Sequence, residues 1–351
     1  MRAAEPVNVA QLPDFDEVID ARSEAEYAED HIPGSINCPV LDNAQRALIG
    51  TVYKQVSAFD AKKAGAALVS RNIARHLETV FAGKPRDWRP LVYCWRGGGR
   101  SGALTHVLEQ IGWRAARLAG GYKAYRRAVL ADLEILPQRF RWDVVCGYTG
   151  SGKSRLLRAL SAQGAQVLDL EALAQHRGSV LGDLPDEPQP GQKLFESLVW
   201  HELRGFDTKQ PVFVEAESKK IGRLRVPPAL IEQMWNGRCI RLEAPVGARV
   251  AMLQDEYWHF ISDPALLGTQ LDCLAAHYGQ SVIDAWKALA AAQAWDELVR
   301  ALLESHYDPA YKRSTLKHYL RLAEGCELRV DAHSDHAFDA LAAQCLESTS
   351  R

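Results

Sequence analysis

A cysteine followed by glycines and arginines lies in the segment YCWRGGGRS, residues 93–101. Cys94 ends the apolar run PLVYC, and the six residues that follow it are Trp95, Arg96, Gly97, Gly98, Gly99 and Arg100. A loop of this kind at a helix N-terminus turns backbone amides and arginine charge toward the sulfur, which favours thiolate over thiol. We therefore predict that Cys94 is a nucleophile and that residues 95–100 form an anion-binding loop.

The spacing from Cys94 to Arg100 is also that of a thiol phosphatase loop, C-x₅-R. Phosphatases of this kind commonly have a histidine before the cysteine, where this chain has Tyr93. They also need a general acid for the leaving group, and the sequence places none near the loop. A phosphatase stays open as an alternative.

The other six cysteines, at positions 38, 146, 239, 273, 326 and 345, have no comparable glycine and arginine neighbours. None of the seven forms a CxxC pair, which argues against a zinc site and against a disulfide framework. We interpret these six as structural residues.

A second glycine-rich loop, GYTGSGKS at 147–154, matches G-x-x-x-x-G-K-[ST]. It follows the strand pattern RWDVVC and precedes the helical pattern KSRLLRALSAQG, which is the context that this motif requires. Backbone amides in such a loop surround phosphate oxygens, the lysine adds a charge, and the serine suits Mg²⁺ or a phosphate oxygen. We predict a phosphate or diphosphate site formed by Gly147, Tyr148, Thr149, Gly150, Ser151, Gly152, Lys153 and Ser154. The motif leaves the compound open.

Such a loop usually has an acidic residue at the end of a neighbouring strand. Asp169 in VLDLE and Glu215 in VFVEAES are equal candidates. His176 and Arg177 in HRGS follow a strand end and are candidate substrate contacts. Mg²⁺ is a candidate cofactor, but the sequence assigns no definite metal site.

Two successive strand–helix patterns must position these loops. In the first we predict strands at 17–22 and 90–94, an amphipathic helix at 101–113, and a strand, turn and helix at 116–130. The pattern restarts near 133–140, with strands predicted at 141–146, 166–170 and 211–218, a surface loop at 184–193, and a mainly helical region from about 245. We expect an α/β fold with a parallel-sheet domain at 1–136 and a P-loop α/β domain with a helical C-terminal part at 137–351.

The bulk composition indicates a soluble globular protein. The chain has 351 residues, 47% of them hydrophobic, and a net charge of −2, which excludes a globally basic nucleic-acid binder. A nucleic-acid partner would need a local basic surface, for which 122–127, 219–225 and 311–321 are candidates. Neither a long apolar run nor a signal pattern is present, so we expect a cytoplasmic protein without a membrane span.

Three segments of the first half resemble signatures of a rhodanese domain: residues 18–37, the Cys94 loop and LAGGYKAYR at 118–126. The Cys94 loop is one residue longer than the commonest rhodanese loop, which leaves room for a larger anion. A rhodanese domain fused to a P-loop domain resembles the tRNA 2-selenouridine synthase family. Residues 169–182, 188–200 and 213–230 resemble motifs of that family's second domain.

This resemblance implies a transferase that acts on the wobble uridine of tRNA. It implies replacement of the sulfur of 2-thiouridine by selenium from selenophosphate, through an S-geranyl intermediate made from geranyl diphosphate. Cys94 would carry the selenium, and residues 147–154 would hold the diphosphate. The implied partner is tRNA with 2-thiouridine at the wobble position, a selenophosphate-supplying enzyme is a further candidate, and no tightly bound cofactor is implied.

Two other functions remain open. One is a rhodanese-type sulfurtransferase or thiol phosphatase coupled to an ATP-using P-loop domain. The other is a non-catalytic, nucleotide-responsive module, which the intact Cys94 and its glycine-rich loop argue against.

Overall fold

The computed structural model describes residues 5–185 and 187–349. The chain forms two compact units, of which the first contains Met1–Asp132 together with Gly191–His201. The second contains Leu133–Pro190 and Glu202–Arg351. The first boundary lies between 132 and 133, where we predicted it between 136 and 137, and residues 191–201 pack with the first unit rather than with the P-loop unit.

Contacts within the first unit explain the position of residues 191–201. The Arg126 guanidinium is paired with the Glu196 carboxylate. The Tyr125 ring meets the Trp200 ring edge to face at 5.4 Å. Both aromatic rings are almost completely buried, so this segment contributes to the core of the first unit.

The first unit is a four-stranded parallel sheet with helices around it, in the order β2-β1-β3-β4. Its elements are β1 (Glu17–Asp20), α1 (Glu24–Glu29), β2 (Ile36–Asn37), α2 (Asn43–Gln55), α3 (Ala58–Glu78), β3 (Pro90–Tyr93), α4 (Gly99–Ile111), β4 (Ala116–Arg117) and α5 (Gly121–Ile135). A short 3-10 helix, Val9–Asp14, precedes them.

Local sequence explains the two elements that flank the cysteine loop. Strand β3 is PLVY, and all four residues are buried, as expected for a central parallel strand. Helix α4 ends at Gly112, whose φ of 109° provides the left-handed cap that glycine adopts most easily. Leu104 and Leu108 are fully buried, whereas Ile111 is 52% exposed, so the buried face of this amphipathic helix ends before its last residue.

The second unit contains a five-stranded parallel sheet in the order β11-β10-β5-β7-β6. Its elements up to the last central strand are β5 (Arg141–Cys146), α6 (Lys153–Ala162), β6 (Gln166–Leu168), α7 (Leu170–Ala174), α8 (Gln192–Gly205, which begins in the first unit), β7 (Pro211–Glu215), β8 (Lys220–Ile221), β9 (Leu224–Arg225), α9 (Pro228–Asn236) and β10 (Arg238–Glu243). The remaining elements are α10 (Val246–Glu256), α11 (Trp258–Ser262), α12 (Pro264–Asp272), α13 (Ala275–Tyr278), α14 (Gln280–Ala291), α15 (Trp295–Leu302), a π-helical turn (Leu303–Tyr307), α16 (Asp308–His318), β11 (Cys326–Arg329) and α17 (Asp335–Thr349).

The α/β fold class and the helical C-terminal part are confirmed. Helices α11 to α15 surround a separate apolar cluster that includes Leu271, Ile283 and Trp286. Three parallel strands were not predicted: β2, β10, and β11, which lies inside the region that we expected to be helical. None of the described helices is both long and apolar enough to cross a membrane.

Candidate active site

Cys94 follows strand β3 directly and is 3% exposed. Its Sγ lies 3.2 Å from the Ser101 hydroxyl on α4. Burial alone would raise the pKa of the thiol, but hydrogen bonds from the hydroxyl and amide of Ser101 and from the amide of Gly98, together with the charge of Arg100, lower it below its ordinary value. The geometry therefore favours a thiolate at Cys94, as the loop sequence predicts.

A second turn of the first unit fixes the backbone of the cysteine loop. The amide of Tyr122 donates to the Cys94 carbonyl at 2.8 Å. Gly121 has φ +57°, and a Cβ placed there would lie 2.2 Å from the same carbonyl oxygen. Only glycine allows this close approach, so the segment LAGGYKAYR fixes the position of the cysteine.

The two arginines of the loop have different surroundings. Arg100 pairs with Glu26 at 2.6 Å, and Glu26 also pairs with Arg46. Arg96 is exposed and forms no ion pair within the described part of the chain. Because the Arg100 charge is largely compensated by Glu26, Arg96 is the loop cation that is more available to an incoming anion.

Trp95 packs on a buried polar network beneath the loop. Its ring stacks on Tyr122 with centroids 5.2 Å apart. The Arg22 guanidinium lies 4.1 Å from the centre of the Tyr122 ring and is paired with the buried Asp20. The Tyr122 hydroxyl donates to Asp30. This network gives the loop a rigid support.

The P-loop connects β5 to α6 at the carboxyl end of the central strand. The Lys153 ammonium donates to the Gly147 carbonyl at 3.1 Å and lies 3.5 Å from the Tyr148 carbonyl. The Thr149 carbonyl accepts from Arg249, which is held in turn by Asp308. The loop is thus anchored from outside, and its lysine is bonded to the loop backbone.

The two acidic candidates differ in what they contact. Glu215 ends β7, next to β5, and its Oε2 lies 3.4 Å from the Ser154 hydroxyl. Asp169 caps α7 by accepting from the Ala172 amide at 2.9 Å. Glu215 is therefore the acid beside the P-loop serine, whereas Asp169 lines the same cavity and fixes the start of a helix.

Two further glutamates, which sequence reasoning missed, complete this region. Glu171 Oε2 lies 3.3 Å from the Ser154 hydroxyl. Oxygens of Glu171, Glu215 and Glu217 lie within 4.8 Å of one another, a spacing that suits a metal ion. Burial, and then the neighbouring carboxylates, raise the pKa of Glu171 and of Glu217 to about 8 and that of Glu215 well above its ordinary value. The two-residue spacing of EAE at 215–217 was the available signal, since alternate residues of an extended segment share a side.

A cavity of about 690 Å³ in the second unit brings the predicted residues together. Its lining includes Lys153, Ser154, Asp169, His176, Arg177 and Glu215. His176 is buried and its Nδ1 accepts from the Gly178 amide, so it organises the loop at 176–183. Burial lowers the pKa of His176, and the nearby Asp183 opposes this shift only in part. The lowered pKa favours the neutral imidazole. The Arg177 guanidinium lies 4.7 Å from the centre of the Tyr257 ring and supplies a cation to the cavity.

A small apolar cleft of about 60 Å³ adjoins this cavity. The two spaces share four lining residues: Thr149, Leu253, Tyr257 and Tyr307. Beyond them the cleft is lined mainly by apolar side chains, among them Leu181, Phe260, Leu267, Trp295, Leu298 and Leu302. The cavity beside the P-loop therefore continues into an apolar surface formed by the C-terminal helices.

Comparison with known proteins finds two family models along the chain. Residues 6–128 match the rhodanese-like domain, and residues 140–266 match the tRNA 2-selenouridine synthase AAA domain. The first match contains the cysteine loop, and the second contains the P-loop with all three clustered glutamates.

Several curated relatives carry the name tRNA 2-selenouridine synthase. The protein of Hydrogenovibrio crunogenus is 30% identical over 371 residues, covering 96% of this chain and 99% of that one. The protein of Shewanella sediminis is 30% identical, covering 84% and 86%. The protein of Nitrosomonas europaea is 33% identical over 244 residues, which span 68% of this chain and 63% of the relative, a little under two thirds. The chain belongs to the tRNA 2-selenouridine synthase family.

Proposed function

We propose that this protein is a transferase that converts 2-thiouridine at the wobble position of tRNA to 2-selenouridine. In this proposal the sulfur is first alkylated by geranyl diphosphate at the P-loop, and selenium from selenophosphate then replaces it. Support comes from the names of the full-length relatives and from the pairing of a thiolate-favouring loop with a P-loop in one chain.

The apolar cleft beside the P-loop is the main reason for choosing geranyl diphosphate as the ligand. A nucleotide needs polar groups that recognise its base, whereas a prenyl diphosphate needs an apolar wall beyond its phosphates. Leu253, Tyr257 and Tyr307 offer such a wall, which leads from the phosphate cavity toward Leu298 in the cleft. The diphosphate would lie against the P-loop, and the chain would run along this wall.

The first step would use the P-loop to stabilise a leaving group. The sulfur of 2-thiouridine attacks C1 of geranyl diphosphate, the C1–O bond breaks, diphosphate leaves, and the N3 proton of the uridine passes to solvent. Negative charge grows on the diphosphate, where the loop amides and Lys153 can receive it. Losing one such electrostatic contact typically slows a reaction by roughly a hundredfold or more.

The second step would place the selenium donor at the Cys94 loop. When the selenium of selenophosphate attacks C2, the C2–Se bond forms, the C2–S bond breaks and geranyl thiolate leaves. Water then cleaves the Se–P bond and releases phosphate, so the alkylation prepares the exchange. The amides of Gly98 and Ser101 and the exposed Arg96 support an anion at Cys94. Cys94→Ser should abolish selenation and leave geranylation largely intact, because a hydroxyl is a far weaker nucleophile than a thiolate.

Calorimetry on the full chain tests the ligand of the P-loop. Geranyl diphosphate should bind more tightly than dimethylallyl diphosphate and ATP. Burying one more five-carbon unit contributes roughly 3–4 kcal/mol at about 0.8 kcal/mol per methylene, or up to about a thousandfold in affinity. Lys153→Ala should weaken geranyl diphosphate binding, whereas Lys209→Ala, which removes an exposed lysine of the same unit, should not.

Two outcomes would overturn the proposal. If ATP binds best and isoprenoid length has no effect, the second unit is an ATP-using module, as in the alternative with a sulfurtransferase or phosphatase. If nucleoside analysis of tRNA incubated with the protein, geranyl diphosphate and selenophosphate finds neither S-geranyl-2-thiouridine nor 2-selenouridine, the proposed reaction is wrong.

A further inference from the structure

Three glutamate side chains converge beside the P-loop serine from separate points of the second unit. Glu171 lies in the first turn of α7, after β6, Glu215 ends β7, and Glu217 follows it by two residues. Their oxygens lie within 4.8 Å of one another, and the Ser154 hydroxyl lies within 3.4 Å of two of them. The sheet topology, with β6 and β7 adjacent and parallel, brings these ends together.

The hydrogen bonding of this cluster is incomplete. Glu215 is fully buried, and its Oε1 has no hydrogen-bond partner among the described residues. A buried carboxylate oxygen without a partner is costly, and close carboxylates add repulsion to that cost. The geometry leaves this oxygen ready to accept a cation.

No side chain of the described residues supplies that cation. None of the ion pairs found among residues 5–185 and 187–349 involves Glu171, Glu215 or Glu217. The nearest candidate, Lys153, directs its ammonium to the loop carbonyls of Gly147 and Tyr148. Three carboxylates therefore share a buried region without a bonded positive group.

We propose that Glu171, Glu215 and Glu217, with the Ser154 hydroxyl, bind a resident divalent cation of the Mg²⁺ type. Hard cations of this type prefer oxygen ligands. Around Mg²⁺, adjacent ligand oxygens lie roughly 3 Å apart and opposite ones roughly 4 Å apart, so the three carboxylates would draw closer together around a bound ion. The protein holds this cation by itself, before any diphosphate enters the cavity.

The cation would prepare the P-loop for an anion. A bound divalent ion would offset the charge of ionised carboxylates, which would otherwise repel a diphosphate at the adjacent P-loop. The ion would also lie next to Ser154, where it could contact a bound phosphate oxygen. This last role rests on the proposed function, whereas binding of the cation itself does not.

Titration of the full chain with Mn²⁺, followed by electron paramagnetic resonance, tests the inference in the absence of diphosphate and tRNA. We expect one tightly bound Mn²⁺ per chain, displaced by excess Mg²⁺. Glu217→Gln should weaken Mn²⁺ binding at least about tenfold, because one of three charged ligands becomes neutral. Glu256→Gln is the matched control, since Glu256 lines the same cavity but pairs with Arg155 outside the cluster.

Thermal unfolding provides a second measurement that does not depend on one variant. Mn²⁺ should raise the Tm of the unmodified chain and of Glu256→Gln by similar amounts, because both should bind the ion equally well. The rise in Tm should be smaller for Glu217→Gln, which should bind the ion more weakly. The inference is wrong if Mn²⁺ binds only together with a diphosphate, or if Glu217→Gln and Glu256→Gln bind it equally. A chain that binds Mn²⁺ but not geranyl diphosphate would refute the proposed ligand and leave the cation site standing.

Discussion

Replacing Ser101 by alanine should raise the pKa of Cys94 and slow the reactions of its sulfur at neutral pH. The hydroxyl lies 3.2 Å from Sγ, and both residues are buried, so water cannot easily take its place. A hydrogen bond to a charged group contributes about 1.5–3 kcal/mol, which corresponds to about 10- to 100-fold less thiolate at a pH well below the pKa. The same hydroxyl also lies 3.3 Å from the Gly98 carbonyl, so we expect the lower end of this range.

The rate of alkylation by iodoacetamide, resolved by peptide mass spectrometry, measures this effect. Because the thiolate is the reacting form, the rate rises with pH through the pKa, and this rise should occur at higher pH in Ser101→Ala. Thr105→Val is a matched control, because Thr105 lies one turn further along α4 and its buried hydroxyl has no partner among the described residues. Cys326 is exposed, and its alkylation rate serves as an internal control for the activity of the iodoacetamide in each sample.

The pH profile separates two explanations. A shifted profile in Ser101→Ala, with Thr105→Val unchanged, supports stabilisation of the thiolate by the Ser101 hydroxyl. If Ser101→Ala keeps the original profile, the amides and Arg100 alone set the thiolate population and the reasoning fails. Equal slowing in both variants would point to disturbed packing of α4 instead.

Two further substitutions test the supports of the loops through urea denaturation. Gly152→Ala should destabilise the protein by about 1–3 kcal/mol, because φ is +89° and the new Cβ would lie 2.3 Å from the Phe338 ring; an unchanged midpoint would show that the last helix moves aside freely. Asp20→Asn should cost about 3–5 kcal/mol, because it leaves the fully buried Arg22 charge unpaired. Asp272→Asn, which removes the half-exposed ion pair with Lys287, should change the urea midpoint little. Equal losses of stability in Asp20→Asn and Asp272→Asn would contradict this argument.

Features with local signals were predictable from the sequence. Strand β5 was predicted at its observed bounds, 141–146, because an apolar run meets a glycine-rich motif there. Helix α6 begins at Lys153, where the motif requires a helix N-terminus. The position of Cys94 between a buried strand and a helix followed from the same kind of pattern.

Features that depend on distant residues were not predictable in the same way. Arg100 was assigned to the anion loop, but its partner Glu26 lies 74 positions away in the chain. Glu171 joins Glu215 and Glu217 only through the pairing of β6 with β7. Strand β11 has four residues with one of them buried, so its alternation is too weak to compete with the helical pattern around it.

The assignment of residues 191–201 to the first unit has a consequence for the order of folding during synthesis. Domains usually fold from the N-terminus as the chain emerges from the ribosome. Here the Tyr125 ring stays without its partner Trp200 until the chain has grown past residue 200. By then β5, the P-loop and α6 of the second unit have already been made. The first unit therefore cannot reach its final core as an independent early domain, and a fragment cut at residue 136 would expose aromatic surface that the complete chain buries.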